Sequence, residues 1–208
     1  MERRFLSIND CPVGLETRED NSRLITGHAA VYYDGSKSTE YELWRGAVER
    51  IMPGAFDRAI GDNGDDVRAL FNHDPDHLLG RTGAKTLMLS SDDKGLRYEI
   101  DPPDTNIGRD VMASIERRDL TGSSFSFIVL EETWRKDDDA NLEIREVNDV
   151  QLFDVCPVTF PAYAATTADS RDAETHESYQ RWRDTQKKRI DALLSQYKIR
   201  ARKIEISS

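Results

Sequence analysis

The stretch Thr121-Gly122-Ser123-Ser124-Phe125-Ser126-Phe127, continuing into Ile128-Val129-Leu130, constrains this chain more than any other. Its alternation has the period of a β-strand, in which successive side chains point to opposite faces. Phe125, Phe127 and Val129 therefore share one face, and Ser124, Ser126, Ile128 and Leu130 share the other. A serine at the head of such a run is a candidate nucleophile. Its hydroxyl is weak at neutral pH, so it needs an imidazole base and a third group to orient that base, and both must come from elsewhere in the chain.

Two regions supply candidates for the base. His28 lies inside a strand expected over residues 23–33 (Arg-Leu-Ile-Thr-Gly-His-Ala-Ala-Val-Tyr-Tyr), where a lone histidine reads first as a packed or half-exposed side chain. Gly27, just before it, marks a bulge or a close backbone approach. His73 ends the apolar run from Val67 and opens a loop, Asp74-Pro75-Asp76-His77-Leu78-Leu79-Gly80-Arg81. Polar groups at strand ends are well placed for chemistry. Three readings of this region stay open: a general base at His73, a metal site from His73, Asp74, Asp76 and His77, or a plain solvated turn. Pro75 argues against the helix that would put both histidines on one face. The third group comes into view at Asp154, which interrupts the apolar strand Asp149–Cys156. A carboxylate between Phe153 and Val155 is costly to bury unless paired; the alternative is an edge-strand aspartate facing water.

The remaining pattern is mostly short strands. A run from Tyr41 to Met52 is broken by Pro53-Gly54 before a short helix at residues 55–60. Strands at 86–90 and 95–101 flank the turn Asp92-Asp93-Lys94 as a hairpin. Asp104-Thr105-Asn106 offers N-caps for a helix over 107–120, in which Ile107, Val111 and Ile115 recur every four residues. Another strand is expected at 142–147. Residues 164–178 are rich in Ala, Thr, Ser and charge and read as a linker. Beyond them Ile190, Leu193, Leu194 and Tyr197 form one apolar helical stripe. That stripe would dock onto the body or onto a second copy of the chain, which leaves a homo-oligomer open. The organisation expected is a domain over 1–165, a linker over 166–178 and an amphipathic helical tail over 179–208.

Charge and cysteine usage narrow the function classes. A net charge of −10 argues against broad phosphate neutralisation and hence against nucleic-acid binding. The tail differs from the body: Arg171 to Ser208 carries ten Lys or Arg against six Asp or Glu, a net of +4, which leaves −14 for residues 1–170. Cys11 and Cys156 have no zinc-ribbon or disulfide spacing. No stretch reads as a signal peptide or membrane span, so a cytoplasmic protein without membrane contact is expected.

The body resembles the tailed-phage prohead (capsid maturation) serine proteases, a family related in fold to the herpesvirus assemblins. The matching motifs are Gly27-His28-Ala29-Ala30-Val31, Pro53-Gly54-Ala55-Phe56, Leu70-Phe71-Asn72-His73-Asp74 with Leu79-Gly80-Arg81, Gly122-Ser123-Ser124-Phe125-Ser126-Phe127, and Asp154-Val155-Cys156-Pro157-Val158 with Pro161-Ala162-Tyr163. They run in the family's order over roughly residues 20–165.

The resemblance implies a mainly β fold, an antiparallel β-barrel of the herpesvirus-protease type with flanking helices, and a site that needs no cofactor or metal. It makes Ser124 the nucleophile, with Ser123 and Ser126 as neighbours in competition, and His73 the general base. Asp154 falls where the family has an acid, often glutamate, and becomes the orienting group. The related herpesvirus enzymes use a second histidine, for which His77 competes. Ser126 departs from the glycine usual in the family's Ser-Phe-Gly-Phe. The activity implied is a serine endopeptidase inside the immature capsid, in the host cytoplasm, with the major capsid protein and scaffold as partners. It would remove scaffold, or the capsid protein's scaffolding segment, and cleave itself in the linker. Two other classes remain: a non-enzymatic assembly factor whose tail binds scaffold or shell, and a metal-dependent hydrolase at the His73–His77 cluster.

Overall fold

Two long strands joined by a tight acidic turn organise the computed structural model, which describes residues 1–5, 13–62, 64–160, 175–189 and 192. Its two units are Met1–Thr166 and Thr167–Ser208. In the first, β1 (Glu2–Phe5), β2 (Gly14–Thr17) and β3 (Arg23–Val31) lead to β4 (Tyr41–Trp44), β5 (Ala47–Ile51) and helix α1 (Asp57–Ile60). β6 (Arg68–Phe71), β7 (Asp74–Arg81), β8 (Leu87–Ser91) and β9 (Gly95–Ile100) precede helix α2 (Asn106–Glu116), after which come β10 (Gly122–Asp137) and β11 (Leu142–Val158).

These strands form two sheets. The larger runs β1-β10-β11-β5-β4, with β6 also on β11 and β7 on β6; the smaller runs β2-β3-β9-β8. The expected barrel is not formed, because the sheets stay open. The physical reason is the length of β11. At 17 residues it pairs with β10 along one side and, on the other, first with β5 and then with β6, so the sheet branches instead of closing. Both of those latter pairings are parallel, so the larger sheet is mixed rather than antiparallel. Two further expectations change. Residues 142–147 and 149–156 are one strand, and the loop expected at 74–81 is β7, hairpinned to β6.

The core lies between the sheets. Ile25, Leu96, Tyr98 and Ile100 of the smaller sheet share one buried cluster with Phe125, Phe127, Val150, Leu152 and Val155 of the larger. Phe125 and Phe127 stack at 4.9 Å, and Phe56, just ahead of α1, meets Phe125 edge-on at 5.7 Å. α2 contributes Val111 and Ile115 to the same cluster. Thr105 is its N-cap, accepting a hydrogen bond from the Gly108 amide at 3.3 Å, which satisfies one of the donors that a helix start leaves open. No described helix is long and apolar enough to cross a membrane.

In the second unit helix α3 covers residues 175–189, so part of the expected linker is helical. Tyr179 and Trp182 stack along it at 5.9 Å. The rest of the linker from 166 to 174, and the stripe Ile190, Leu193, Leu194 and Tyr197, lie outside the described residues.

Gly27 marks a close approach. It faces Tyr98 across the β3–β9 ladder, and a Cβ there would stand 2.7 Å from the tyrosine hydroxyl. That hydroxyl lies 2.8 Å from the Ser123 Oγ, one residue before Ser124. Gly27→Ala is therefore expected to push Tyr98 out of place and destabilise the protein by about 1–3 kcal/mol, the usual cost of overpacking a filled core. Urea unfolding compared with wild type checks this; an unchanged midpoint would mean that Tyr98 has room to move.

Candidate active site

The alternation of β10 divides its hydroxyls between two faces. Ser123 shares the core face with Phe125 and Phe127, where its Oγ lies 2.8 Å from the Tyr98 hydroxyl, on the opposite side of the strand from His73. Ser124 and Ser126 point the other way, as the strand period requires. Across the ladder Ser124 is registered with Cys156, and Ser126 with Asp154.

A β-bulge brings Asp154 to that face. Phe127 pairs with Leu152 while Ser126 pairs with Asp154, so one step on β10 spans two on β11 and Phe153 is the extra residue. Without the bulge Asp154, two positions after the buried Leu152, would project into the core with it. With the bulge, Val155 takes the core face and Asp154 turns to the hydroxyl face. β11 is a central strand here, because β6 pairs with it at Asp154 and Val155, so Asp154 is not an edge aspartate facing water.

His73 is delivered by a turn. Phe71 pairs with Asp74, which leaves Asn72 and His73 as a two-residue hairpin connection, and both have positive φ, 56° and 59°. That pair of left-handed residues is the signature of a primed hairpin turn, in which asparagine is favoured at the first position. Asn72 also ties the turn to the end of β11. Its amide donates to the Pro157 carbonyl at 3.1 Å, its side-chain nitrogen to Thr159 Oγ1 at 3.1 Å, and its side-chain oxygen accepts from the Thr159 amide at 2.8 Å.

The three residues meet in a hydrogen-bonded line. His73 Nε2 lies 2.6 Å from Ser124 Oγ, and His73 Nδ1 lies 2.6 Å from Asp154 Oδ1. Asp154 is held from more sides than this. The Ser126 hydroxyl donates to its Oδ2, and the Cys156 thiol donates to Oδ1 at 3.0 Å. Burial disfavours the Asp154 charge, but the hydrogen bond and charge of His73, with Ser126 and Cys156, outweigh it and hold the carboxyl below its ordinary range. Burial, then the Asp154 carboxylate, push the Cys156 thiol well above its ordinary value, so Cys156 stays a thiol and a donor. An ionised Asp154 fixes the proton of the imidazole on Nδ1 and leaves Nε2 free to take one from Ser124.

The other candidates lie apart. His77 turns outward, with Nδ1 3.3 Å from Asp74 Oδ2, and both side chains are more than two-fifths exposed. The cluster His73, Asp74, Asp76 and His77 does not converge, because the hairpin sends His73 toward β11 and His77 toward solvent. Among the described residues, the group able to offer three metal-ligand atoms to one another is His73, Asp154 and Cys156, and those atoms are already engaged with one another. His28 belongs to the smaller sheet, where its Nε2 pairs with Asp92 at 2.8 Å. Asn72 and Cys156 were not singled out from the sequence. Asparagine followed by histidine between two β-runs is a readable turn signal; the place of Cys156 depends on a register that periodicity does not give.

Residues 12–181 match the family described as caudovirus prohead serine protease, and the chain belongs to that family. Among solved structures it is similar to the capsid assembly protease of bacteriophage T4, gp21, at 13% identity and a TM-score of 0.42, over 77% of this chain and 100% of that one. No curated protein matches it significantly.

Because Asn72 both adopts the left-handed turn and bridges to Thr159, Asn72→Ala is expected to cost about 1–3 kcal/mol through the two lost hydrogen bonds and the strained alanine. Thermal melting would show this, and a nitrogen-15 spectrum should place the largest shifts at His73 and Thr159. A full-strength melt with unmoved His73 resonances would contradict the role given to Asn72.

Proposed function

We propose that the chain is a serine endopeptidase of capsid maturation, with Ser124 as nucleophile, His73 as general base and then acid, and Asp154 as the group that orients His73. The observation that carries the reading is the line from Ser124 Oγ through both ring nitrogens of His73 to Asp154, with both contacts at 2.6 Å. Nucleophile, base and orienting acid need that order and those distances. Family membership supplies the reaction class.

In acylation, Ser124 Oγ attacks the scissile carbonyl carbon and its proton passes to His73 Nε2. The imidazolium, steadied by Asp154 at Nδ1, returns that proton to the departing amine as the peptide C–N bond breaks, leaving an acyl ester on Ser124. Water then attacks the ester, loses a proton to Nε2 and releases the acid, and His73 returns the proton to Ser124. Ser126 acts on this sequence through Asp154. Its hydroxyl occupies Oδ2, so the carboxylate keeps Oδ1 turned to His73. The substrates in this reading are the scaffold, or the scaffolding segment of the major capsid protein, met inside the prohead in the host cell. Self-cleavage in this reading falls in the linker, residues 164–178.

Co-expression with the phage's capsid and scaffold proteins, followed by intact-mass measurement, tests the reading. Wild type is expected to give shortened products, and Ser124→Ala to lower the rate by about a million-fold. Asp154→Asn should cost about 10⁴-fold, since it favours the wrong imidazole tautomer. Ser126→Ala should cost about five-fold in kcat with KM little changed, the rate equivalent of one ordinary hydrogen bond. Identical unprocessed masses from wild type and Ser124→Ala would end the protease reading.

A further inference from the structure

Ser124 has no exposed surface, and the side chain of His73 is only 4% exposed. A nucleophile in that condition cannot meet a peptide carbonyl until something leaves. What lies against it is β1. This strand pairs antiparallel with β10 at the edge of the larger sheet, in the register Glu2 to Phe127, Arg3 to Ser126, Arg4 to Phe125 and Phe5 to Ser124. The Ser124 hydroxyl donates to the Arg4 carbonyl at 2.9 Å. A hydroxyl has a single proton, so the Arg4 carbonyl at 2.9 Å competes for it with His73 Nε2 at 2.6 Å and occupies the space beside the attacking oxygen.

β1 is also fastened from the far side of its pleat. Glu2 meets Arg145 at 2.7 and 2.9 Å, and Arg4 meets Glu49 at 2.5 and 2.8 Å and Glu2 at 2.6 Å. Arg145, Glu2 and Glu49 are each at most 3% exposed. Arg4 adds a stacked contact over the Phe127 ring at 5.4 Å.

On the protease reading given above, we propose that the β10 edge from Ser124 to Phe127 is the binding edge for an extended substrate peptide, and that β1 occupies it in cis as a self-inhibitory strand. An extended peptide that replaces β1 takes up the same sheet edge by strand addition, with a backbone carbonyl beside Ser124 where the Arg4 carbonyl now lies. Main-chain pairing gives such a site tolerance for sequence. The charged fastening makes its opening a discrete event, since Glu2 and Arg4 must leave Arg145 and Glu49 together.

The test uses the full chain and a fluorophosphonate probe, which reports the reactivity of Ser124 without needing a known substrate. Arg4→Ala, checked for native circular dichroism, is expected to label at Ser124 at least about ten-fold faster than wild type, the effect of loosening a strand held by several charge-assisted bonds. In wild type carried to complete labelling, the β1 amides should lose their protection from hydrogen exchange, because the bound phosphonyl group and the Arg4 carbonyl compete for one place. Equal labelling rates in the two chains, or β1 amides still protected in fully labelled wild type, overturn the inference and leave the protease reading standing. Absence of labelling in both chains overturns both. If Arg4→Ala does not fold, the exchange measurement on wild type decides alone.

Discussion

A carboxylate buried on a central strand, beneath the β6–β7 hairpin on the face away from the core, has to be matched on every side, and much of the larger sheet is arranged around that demand at Asp154. Its two oxygens take donors from His73, Cys156 and Ser126, which come from a turn, the same strand and the neighbouring strand. An unpaired charge at such a depth would cost several kcal/mol, whereas a carboxylate accepting three donors is stable as the ion. The ion in turn fixes the imidazole. The arrangement is mutual: the groups that make Asp154 tolerable to bury are the ones it orients.

The geometry rests on parity. On β10 the alternation runs true through the site and separates Ser123 from Ser124 by a whole sheet thickness in role: one held to Tyr98 in the core, the other to His73. On β11 the alternation is broken once, at Phe153, and that break exchanges which residues are core and which are site. Where β11 pairs with neither β5 nor β6, near the bulge, the Leu152 amide donates to the Asp65 carboxylate at 2.7 Å, and Arg58 binds Asp65 at 3.1 Å. The irregular stretch thus keeps its backbone donors satisfied, as a buried bulge must.

Much of this was legible in the residues and some was not. The period of Ser124 to Phe127 gave the faces of β10, the helix α2 with its Thr105 cap followed from spacing, and the expense of burying Asp154 pointed to a partner. Naming that partner as His73 needed the family resemblance, since a separation of 81 positions carries no information of its own. The bulge at Phe153 has no sequence signature, so strict alternation would have sent Asp154 into the core. β7 was hidden because Asp74-Pro75-Asp76-His77 is polar and proline-bearing, which reads as a loop, although among the described residues β7 pairs with β6 alone and an edge strand tolerates proline. The open, branched sheet could not be seen either: strand periods do not say how many partners a long strand will take. β1 was missed because three charged residues among the first five look like a solvated terminus, and the partners of Glu2 and Arg4 on the body, Arg145 and Glu49, lie far along the chain.

The hairpin that carries His73 has a consequence for how the chain comes together. β6 and β7 are neighbours in sequence and can pair early, but His73 reaches Ser124 and Asp154 only across 51 and 81 positions. Contacts of that separation carry a large loop-closure cost and form late. A nascent or partly collapsed chain therefore holds a serine, a histidine and an aspartate that have not yet met. On the proposed assignment, reactivity requires both of these long-range contacts, so incomplete folding leaves a silent polypeptide in place of an indiscriminate one.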